Sequence, residues 1–378
     1  MEKSRKILML NALTERSGSG VRFWSIAEEI ARRGHAVFFV ERAIAEDGRG
    51  KVKGLKYRSV RETGLLWLDI LRATLLNIIH GLVFRPHYVF ALKPMPNTAI
   101  PALFLKKVFR SKVIVDIDDL DFEYYPNSFA RQLVRLSFKC FPPHFDLITT
   151  HNRYLKQVII DEIRISPEKI YSLPQGIEIK SFLNAESDSH YQKKYRLQPD
   201  DNIVVYSASL GITSDFQLVL PMLIEFLKSC DEAKILVVGD GVKKKHFIKK
   251  VEAYGLQEHM FFTGHIDHTE MPSVLKLAKV GINYMAPTQA NQCRASIKVR
   301  EYLAAGLNVV CNPVGDAEVF GDHVTLCSTL KDYPGAIRKA LEVKAQERIG
   351  SARAFLETNY SWPNLVEDFL AHVMEYCI

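Results

Sequence analysis

Four aspartates fall within six residues, Asp116, Asp118, Asp119 and Asp121, directly after the apolar run Lys112–Val115. Carboxylates this close repel one another unless a metal, a cation or solvent intervenes. The segment therefore reads as a metal-binding Asp-x-Asp, a general base, or solvated loop acids capping the next helix. A second concentration of chemistry spans Cys293 to Val310. Ser296 is placed to cap a helix that opens at Ile297, runs to Ala305, closes on Gly306 and leads into a strand. Lys298 and Glu301, three apart, share a face near the start of that helix, where free N–H groups attract an anion. A phosphate and a hydroxylated sugar would suit this face; a surface ion pair is the plain alternative.

Two glycine-bearing loops sit at the ends of strand candidates. Ser17, Gly18, Ser19 and Gly20 precede a helix expected over Val21–Arg33, so backbone there can approach an anionic or polar ligand, or simply turn. Gly239, Asp240 and Gly241 lead to Lys243, Lys244 and Lys245, which either meet phosphate or coat a helix.

The elements that must hold these residues alternate as apolar runs and helical stretches, the pattern of α/β domains with parallel sheets. Strands are predicted over Lys6–Leu10, Ala36–Val40, Tyr88–Leu92, Lys112–Val115 and Leu147–Thr150, then over Ile203–Ser207, Lys234–Val238, Met260–Thr263, Val280–Tyr284 and Asn308–Cys311. The polar stretch Asn184–Asp201 reads as a linker. Two doubly wound, Rossmann-like domains follow, 1–190 and 191–378, with the last helix free to pack back on the first. A length of 378 residues allows both, and 47% hydrophobic with 25% charged residues excludes a disordered or low-complexity chain.

Six cysteines, at 140, 230, 293, 311, 327 and 377, form no CxxC pair and have no companion His spacing, so reduced thiols are expected rather than zinc or disulfides. Met1 to Lys6 is charged and runs into four apolar residues, too few for a signal peptide, which predicts a cytoplasmic protein. Residues 1–190 hold 29 Lys and Arg against 21 Asp and Glu, while 191–378 hold 21 against 22. The basic first half can attract an anionic membrane surface or substrate. Nucleic acid is not expected, because no RNP motif, zinc-finger spacing or continuous basic helix appears.

Leu65–Phe84 is long enough to span a bilayer. About twelve strongly apolar residues at roughly −0.5 kcal/mol each are cancelled by Asp69 and Arg72 at about +3 kcal/mol each, which argues against a transmembrane helix. Asp69, Arg72, Asn77 and His80 share one sector and leave a wide apolar face, to be buried on the sheet or dipped into a membrane surface.

In order and spacing, several stretches resemble the GT-B glycosyltransferases, specifically the large retaining family four. They are Ser17–Gly20, Ala31–His35, Phe145–Ile148, Ile170–Glu178, Val237–Gly241, Phe262–Ile266, and Lys298 to Val310 with Gly315 and Glu318 beyond. The resemblance implies two Rossmann-like domains facing across a cleft, a nucleotide-sugar donor on the second and a lipid-linked or cell-envelope glycan acceptor on the first. The nucleotide sugar is then a substrate, with no resident cofactor and no metal implied. Glu301 matches the glutamate that holds the donor ribose, and Gly264, His265 and Ile266 match the nucleobase edge. Asp118 or Asp119 would face the acceptor. Three departures stand out: Cys293 occupies the place of the usual partner glutamate, Ser209 and Ser214 fall where the diphosphate-binding Arg and Lys are expected, and Asp118 stands where many members have His. Arg294 or Lys298 would replace the missing cations. An inactive GT-B binding subunit and a sugar-nucleotide epimerase on the same fold are the rival readings.

Overall fold

The computed structural model describes residues 4–14, 17–43, 52–125, 127–211, 214–343 and 346–376. Met1, Glu2, Lys3 and Cys377 lie outside them. The chain forms two units, Met1–Gly176 with Trp362–Ile378, and Ile177–Ser361.

The first unit carries strands β1 (Lys6–Thr14), β2 (Ala36–Ala43), β3 (Leu55–Arg61), β4 (Tyr88–Leu92), β5 (Lys112–Asp116), β6 (Leu147–Thr150) and β7 (Ile170–Ser172). They form one parallel sheet in the order β3-β2-β1-β4-β5-β6-β7. Its helices are α1 (Gly18–Arg32), α2 (Leu66–Phe84), α3 (Pro96–Phe109), α4 (Ser128–Cys140), α5 (Arg153–Asp161) and, from the end of the chain, α15 (Trp362–Tyr376). Right-handed crossovers put α1 on one face and α2 to α5 on the other. Phe23, Phe39, Phe90, Trp362 and Phe369 close the core on the α1 and α15 side.

The second unit carries β8 (Asn202–Ser207), β9 (Ala233–Val238), β10 (Met260–Gly264), β11 (Val280–Asn283), β12 (Asn308–Cys311) and β13 (Val324–Leu326), parallel in the order β10-β9-β8-β11-β12-β13. Its helices are α6 (Ile179–Leu183), α7 (Ser189–Lys194), α8 (Phe216–Lys228), α9 (Lys244–Ala253), α10 (Met271–Leu275), α11 (Gln289–Gln292), α12 (Ile297–Ala305), α13 (Tyr333–Glu342) and α14 (Gln346–Tyr360). Two apolar cores, one with Tyr302 and Leu356 and one with Phe216 and Tyr333, fill the unit. In both sheets a strand with neighbours reached in opposite directions, β1 and β8, opens the crevice where ligands of such sheets bind.

Three expectations change. The stretch Asn184–Asp201 is not a linker. It holds α7, capped by Asp188, whose carboxylate accepts from His190 and Tyr191 N–H. Tyr195 then stacks on Phe261 at 4.9 Å inside the second unit. Helix α1 begins at Gly18 rather than Val21, because Ser17 Oγ accepts from Gly20 N–H at 2.9 Å and makes the small residues its first turn.

The third change concerns α2, whose orientation is the reverse of an amphipathic core helix. Asp69, Ala73, Asn77 and Gly81, each four residues on, form its buried stripe. Asp69 accepts from Thr63 N–H, Thr63 Oγ1 and Gly64 N–H. Asn77 donates to the Asn97 carbonyl at 2.8 Å. Gly81 lets α3 approach so closely that a Cβ there would sit 2.3 Å from Leu105 Cδ1. Leu68, Leu71, Leu75, Ile79, Leu82 and Val83 point outward and are exposed, as are Ile100, Phe104 and Val108 of α3. By length and composition α2 is apolar enough to cross a bilayer, with a mean hydropathy of 1.4 over 18 residues.

Candidate active site

On the second unit the site is built around the start of α12. Ser296 occupies the N-cap, yet its side chain makes no capping bond; Ser296 Oγ donates to Asn283 Oδ1 at 3.3 Å instead. The first N–H groups of α12 are thus left for a ligand, and their dipoles favour an anion. Gly306, with φ +90°, ends the helix in the left-handed conformation that glycine takes without strain. The helix start is locked from below: Asp316 accepts from Ser296 N–H at 3.2 Å and pairs with buried Arg300 at 2.5 Å. The Arg300 guanidinium itself lies over the rings of Phe320 and Tyr360, 5.0 and 4.6 Å from their centroids.

Glu301 is buried, with Oε1 3.6 Å from His268 Nδ1. Burial raises its pKa, against the pull of His268 and Lys298. Burial and neighbouring Arg294 lower the pKa of Lys298, opposed by Glu301 and Asp215. Arg294 Nη1 donates to Asn291 Oδ1 at 3.1 Å, and Asn291 Nδ2 donates to Asp215 Oδ2 at 3.3 Å. Asp215 therefore fixes the loop that presents Arg294, a role invisible in sequence because 76 residues separate it from Asn291. Cys293 is fully buried. Ser209 is exposed, and Ser214 turns its hydroxyl back to Phe216 N–H.

Gly239 and Gly241 shape the neighbouring edge. A Cβ at Gly239 would lie 1.8 Å from the Ala208 carbonyl oxygen, and one at Gly241 2.4 Å from the Leu210 carbonyl carbon, so only glycine lets the two strand-end loops touch. Gly239 N–H donates to the Gly264 carbonyl at 3.0 Å and ties in the third loop. His265 is exposed, while Ile266 turns its side chain into the core. Lys243 reaches Gln217 Oε1 and Lys244 faces Asp240 at 3.6 Å.

On the first unit the carboxyl ends of four strands converge. Asp116 is buried and paired with Arg22 Nε at 3.2 Å, and it accepts from Thr149 Oγ1 at 2.5 Å. Arg22 also donates to the carbonyls of Leu173 and Pro174. Burial raises the Asp116 pKa against the Arg22 charge. The compensating charge for the remaining acids is Lys93, a residue that no motif or spacing marks out. Its Nζ lies 3.0 Å from Asp118 Oδ1 and 2.6 Å from Asp121 Oδ1. Burial by itself would raise Asp118, but Lys93, His151, a Ser19 hydrogen bond and Arg22 outweigh it and hold the carboxyl at about 2. Asp121 goes the other way, raised by burial despite Lys93. Asp119 is half-buried near Tyr124. Of the small-residue loop, Ser17 caps α1 and Ser19 meets Asp118, so Gly18 and Gly20 stand in the helix turn beside the acids.

Residues 187–352 match the family model described as Glycosyl transferases group 1. An uncharacterized glycosyltransferase of Methanocaldococcus jannaschii is 23% identical over 223 residues, 57% of this chain and 54% of that one. The alpha-monoglucosyldiacylglycerol synthase of Streptococcus pneumoniae is 25% identical over 198 residues, 48% of this chain and 42% of that one. The chain thus spans about half the length of these relatives. Sucrose-phosphate synthase of Thermosynechococcus elongatus is similar in structure with a TM-score of 0.77 at 14% identity, covering 98% of this chain and 99% of that one. HepE of Anabaena, solved with UDP and glucose, reaches 0.72 at 14% identity over 98% and 100%. The chain has the GT-B fold of the glycosyltransferases it resembles, and the stretch of its second unit from 187 to 352 is similar to the glycosyl transferases group 1 family.

Proposed function

We propose that the protein transfers a hexosyl group, with retention, from a nucleoside-diphosphate sugar to a hydroxyl of a lipid-linked or cell-envelope glycan acceptor. The observation that carries this reading is the start of α12, where uncapped N–H groups, Lys298 and Arg294 gather beside the buried carboxylate of Glu301. Cationic and N–H groups suit the diphosphate, Glu301 suits ribose hydroxyls, and the backbone at Gly264, His265 and Ile266 suits the base. Asp118 or Asp119 serves the acceptor hydroxyl. Positioning and charge stabilisation of the leaving diphosphate then supply most of the rate. HepE, solved with UDP-glucose, and the monoglucosyldiacylglycerol synthase support this choice of donor and of a lipid-linked acceptor.

The protein works at the cytoplasmic surface of an anionic membrane. The exposed apolar side of α2 and α3 supports this, together with the exposed cations Arg72, Arg85, Lys107 and Arg110 around it.

A second reading, a subunit that binds nucleotide without turnover, is favoured by Cys293, Ser209 and Ser214 in place of a glutamate and two cations. Turnover measured with a panel of nucleotide sugars separates the two. Calorimetry tests the site itself: Glu301→Ala is expected to weaken UDP binding about tenfold or more, the cost of losing charge-assisted hydrogen bonds. Unchanged affinity removes Glu301 from the site.

A further inference from the structure

Lys93 is held in an unusual way. It follows β4 immediately, is buried, and takes φ +63°, a conformation that side-chain-bearing residues rarely adopt. Four other non-glycine residues with positive φ, Arg85, Arg110, Arg164 and Arg196, are all exposed. The backbone of Lys93 is pinned on both sides: its N–H donates to the Asp116 carbonyl at 2.8 Å, and its own carbonyl accepts from Thr98 Oγ1 at 2.7 Å. Strain kept in place this firmly is typical of sites where a side chain must point one way. Here it points Nζ between Asp118 and Asp121.

Asp118 is faced from every neighbouring element. Ser19 and Arg22 come from α1, Lys93 from the end of β4, His151 from the residue after β6, and Asp116 and Asp121 from its own segment. Two cations, Lys93 and Arg22, meet the buried carboxylates of Asp116 and Asp118 and the partly buried one of Asp121. Asp118 Oδ1, nine-tenths buried and in ion contact with Lys93, accepts no hydrogen bond from the described residues, and neither does Asp121 Oδ2. A structural lock would saturate these oxygens; this one keeps acceptor capacity in reserve.

We propose that Lys93 is a positioning residue that keeps Asp118 charged and aimed so that it accepts the hydrogen bond of the acceptor hydroxyl. This rests on the reading of the first unit as the acceptor-binding part of a glycosyltransferase. Lys93 touches no reacting atom in this scheme; it acts through Asp118, whose carboxylate without it would take up a proton at higher pH, as buried acids do.

The experiment compares the unaltered chain, Lys93→Met and Lys93→Arg. The rate of transfer from the nucleotide sugar that the panel identifies is read from pH 5 to 9, and UDP affinity by calorimetry. The unaltered chain and Lys93→Arg should keep a level acid side. Lys93→Met should lose at least tenfold between pH 8.5 and pH 5.5, with UDP affinity unchanged. A rate that drops equally at all pH values in Lys93→Met makes the lysine a structural lock and overturns the proposal. Should Lys93→Met not fold, Asp118→Asn decides: a hundredfold loss of transfer at unchanged UDP affinity is expected, and full transfer overturns it. Failure of the unaltered chain to turn over any nucleotide sugar overturns the parent reading instead, and the proposal falls with it.

Discussion

Glu301 shows what a buried carboxylate costs the fold that holds it. Burial raises its pKa above the ordinary carboxylate value, so the folded state binds the proton more tightly than the unfolded chain. Its contribution to stability is fullest below the unfolded value of about 4.3, and is lost as pH rises toward the folded one. Glu301→Gln, which cannot ionise, should therefore be no more stable than the unaltered chain at pH 4 and more stable at pH 7. Urea unfolding at the two pH values checks this, and a gain confined to low pH contradicts it. At this scale the sequence was partly readable. Lys298, Glu301 and Arg294 lie within eight residues on one helix start, a local pattern. Lys93, Arg22 and Asp215 meet their partners 28, 94 and 76 residues away, and single charged residues carry no mark in sequence of such pairing.

Helix α2 inverts the rule that apolar residues face the core. Its orientation is set by hydrogen bonds to Asp69 and Asn77 and by the close fit at Gly81, not by hydrophobic burial. The outward leucines then await a surface, and Arg72, Arg85, Lys107 and Arg110 around them are exposed. The protein should float with vesicles containing phosphatidylglycerol, less with neutral vesicles, and less again at high salt, where exposed charges are screened. Leu71→Glu with Leu75→Glu should abolish flotation without altering UDP affinity. Equal flotation on neutral and anionic vesicles sinks the idea. Periodicity revealed the two faces of α2 but not which faced inward, since a four-residue polar stripe serves either for solvation or for packing. Strands β3, β7 and β13 escaped for a different reason: β3 alternates half-buried and exposed residues, and the other two are three residues long, whereas the reading sought continuous apolar runs. The ten runs it found correspond to strands.

For the whole molecule, both chemistries meet charge with the chain's own cations: Lys298 and Arg294 on one unit, Lys93 and Arg22 on the other. Sugar transfer should therefore persist in chelator, because no divalent ion is needed to neutralise the leaving diphosphate. Turnover abolished by chelator and restored by magnesium or manganese refutes this. The expected break between 190 and 191 falls inside the unit Ile177–Ser361, because α7 has the polar composition of a linker yet packs as a helix. The buried stripe of α2 also acts before any unit exists. As Leu66–Phe84 emerges during synthesis it is an apolar segment of nearly bilayer length, and the machinery that inserts such segments weighs Asp69 and Arg72 against the leucines. The same aspartate that later accepts hydrogen bonds from Thr63 thus also weighs against insertion of the segment into a bilayer. Replacing Asp69 and Asn77 with leucine should therefore do more than loosen a helix: it should shift part of the expressed chain into the membrane fraction, and a variant that stays wholly in the soluble fraction contradicts this.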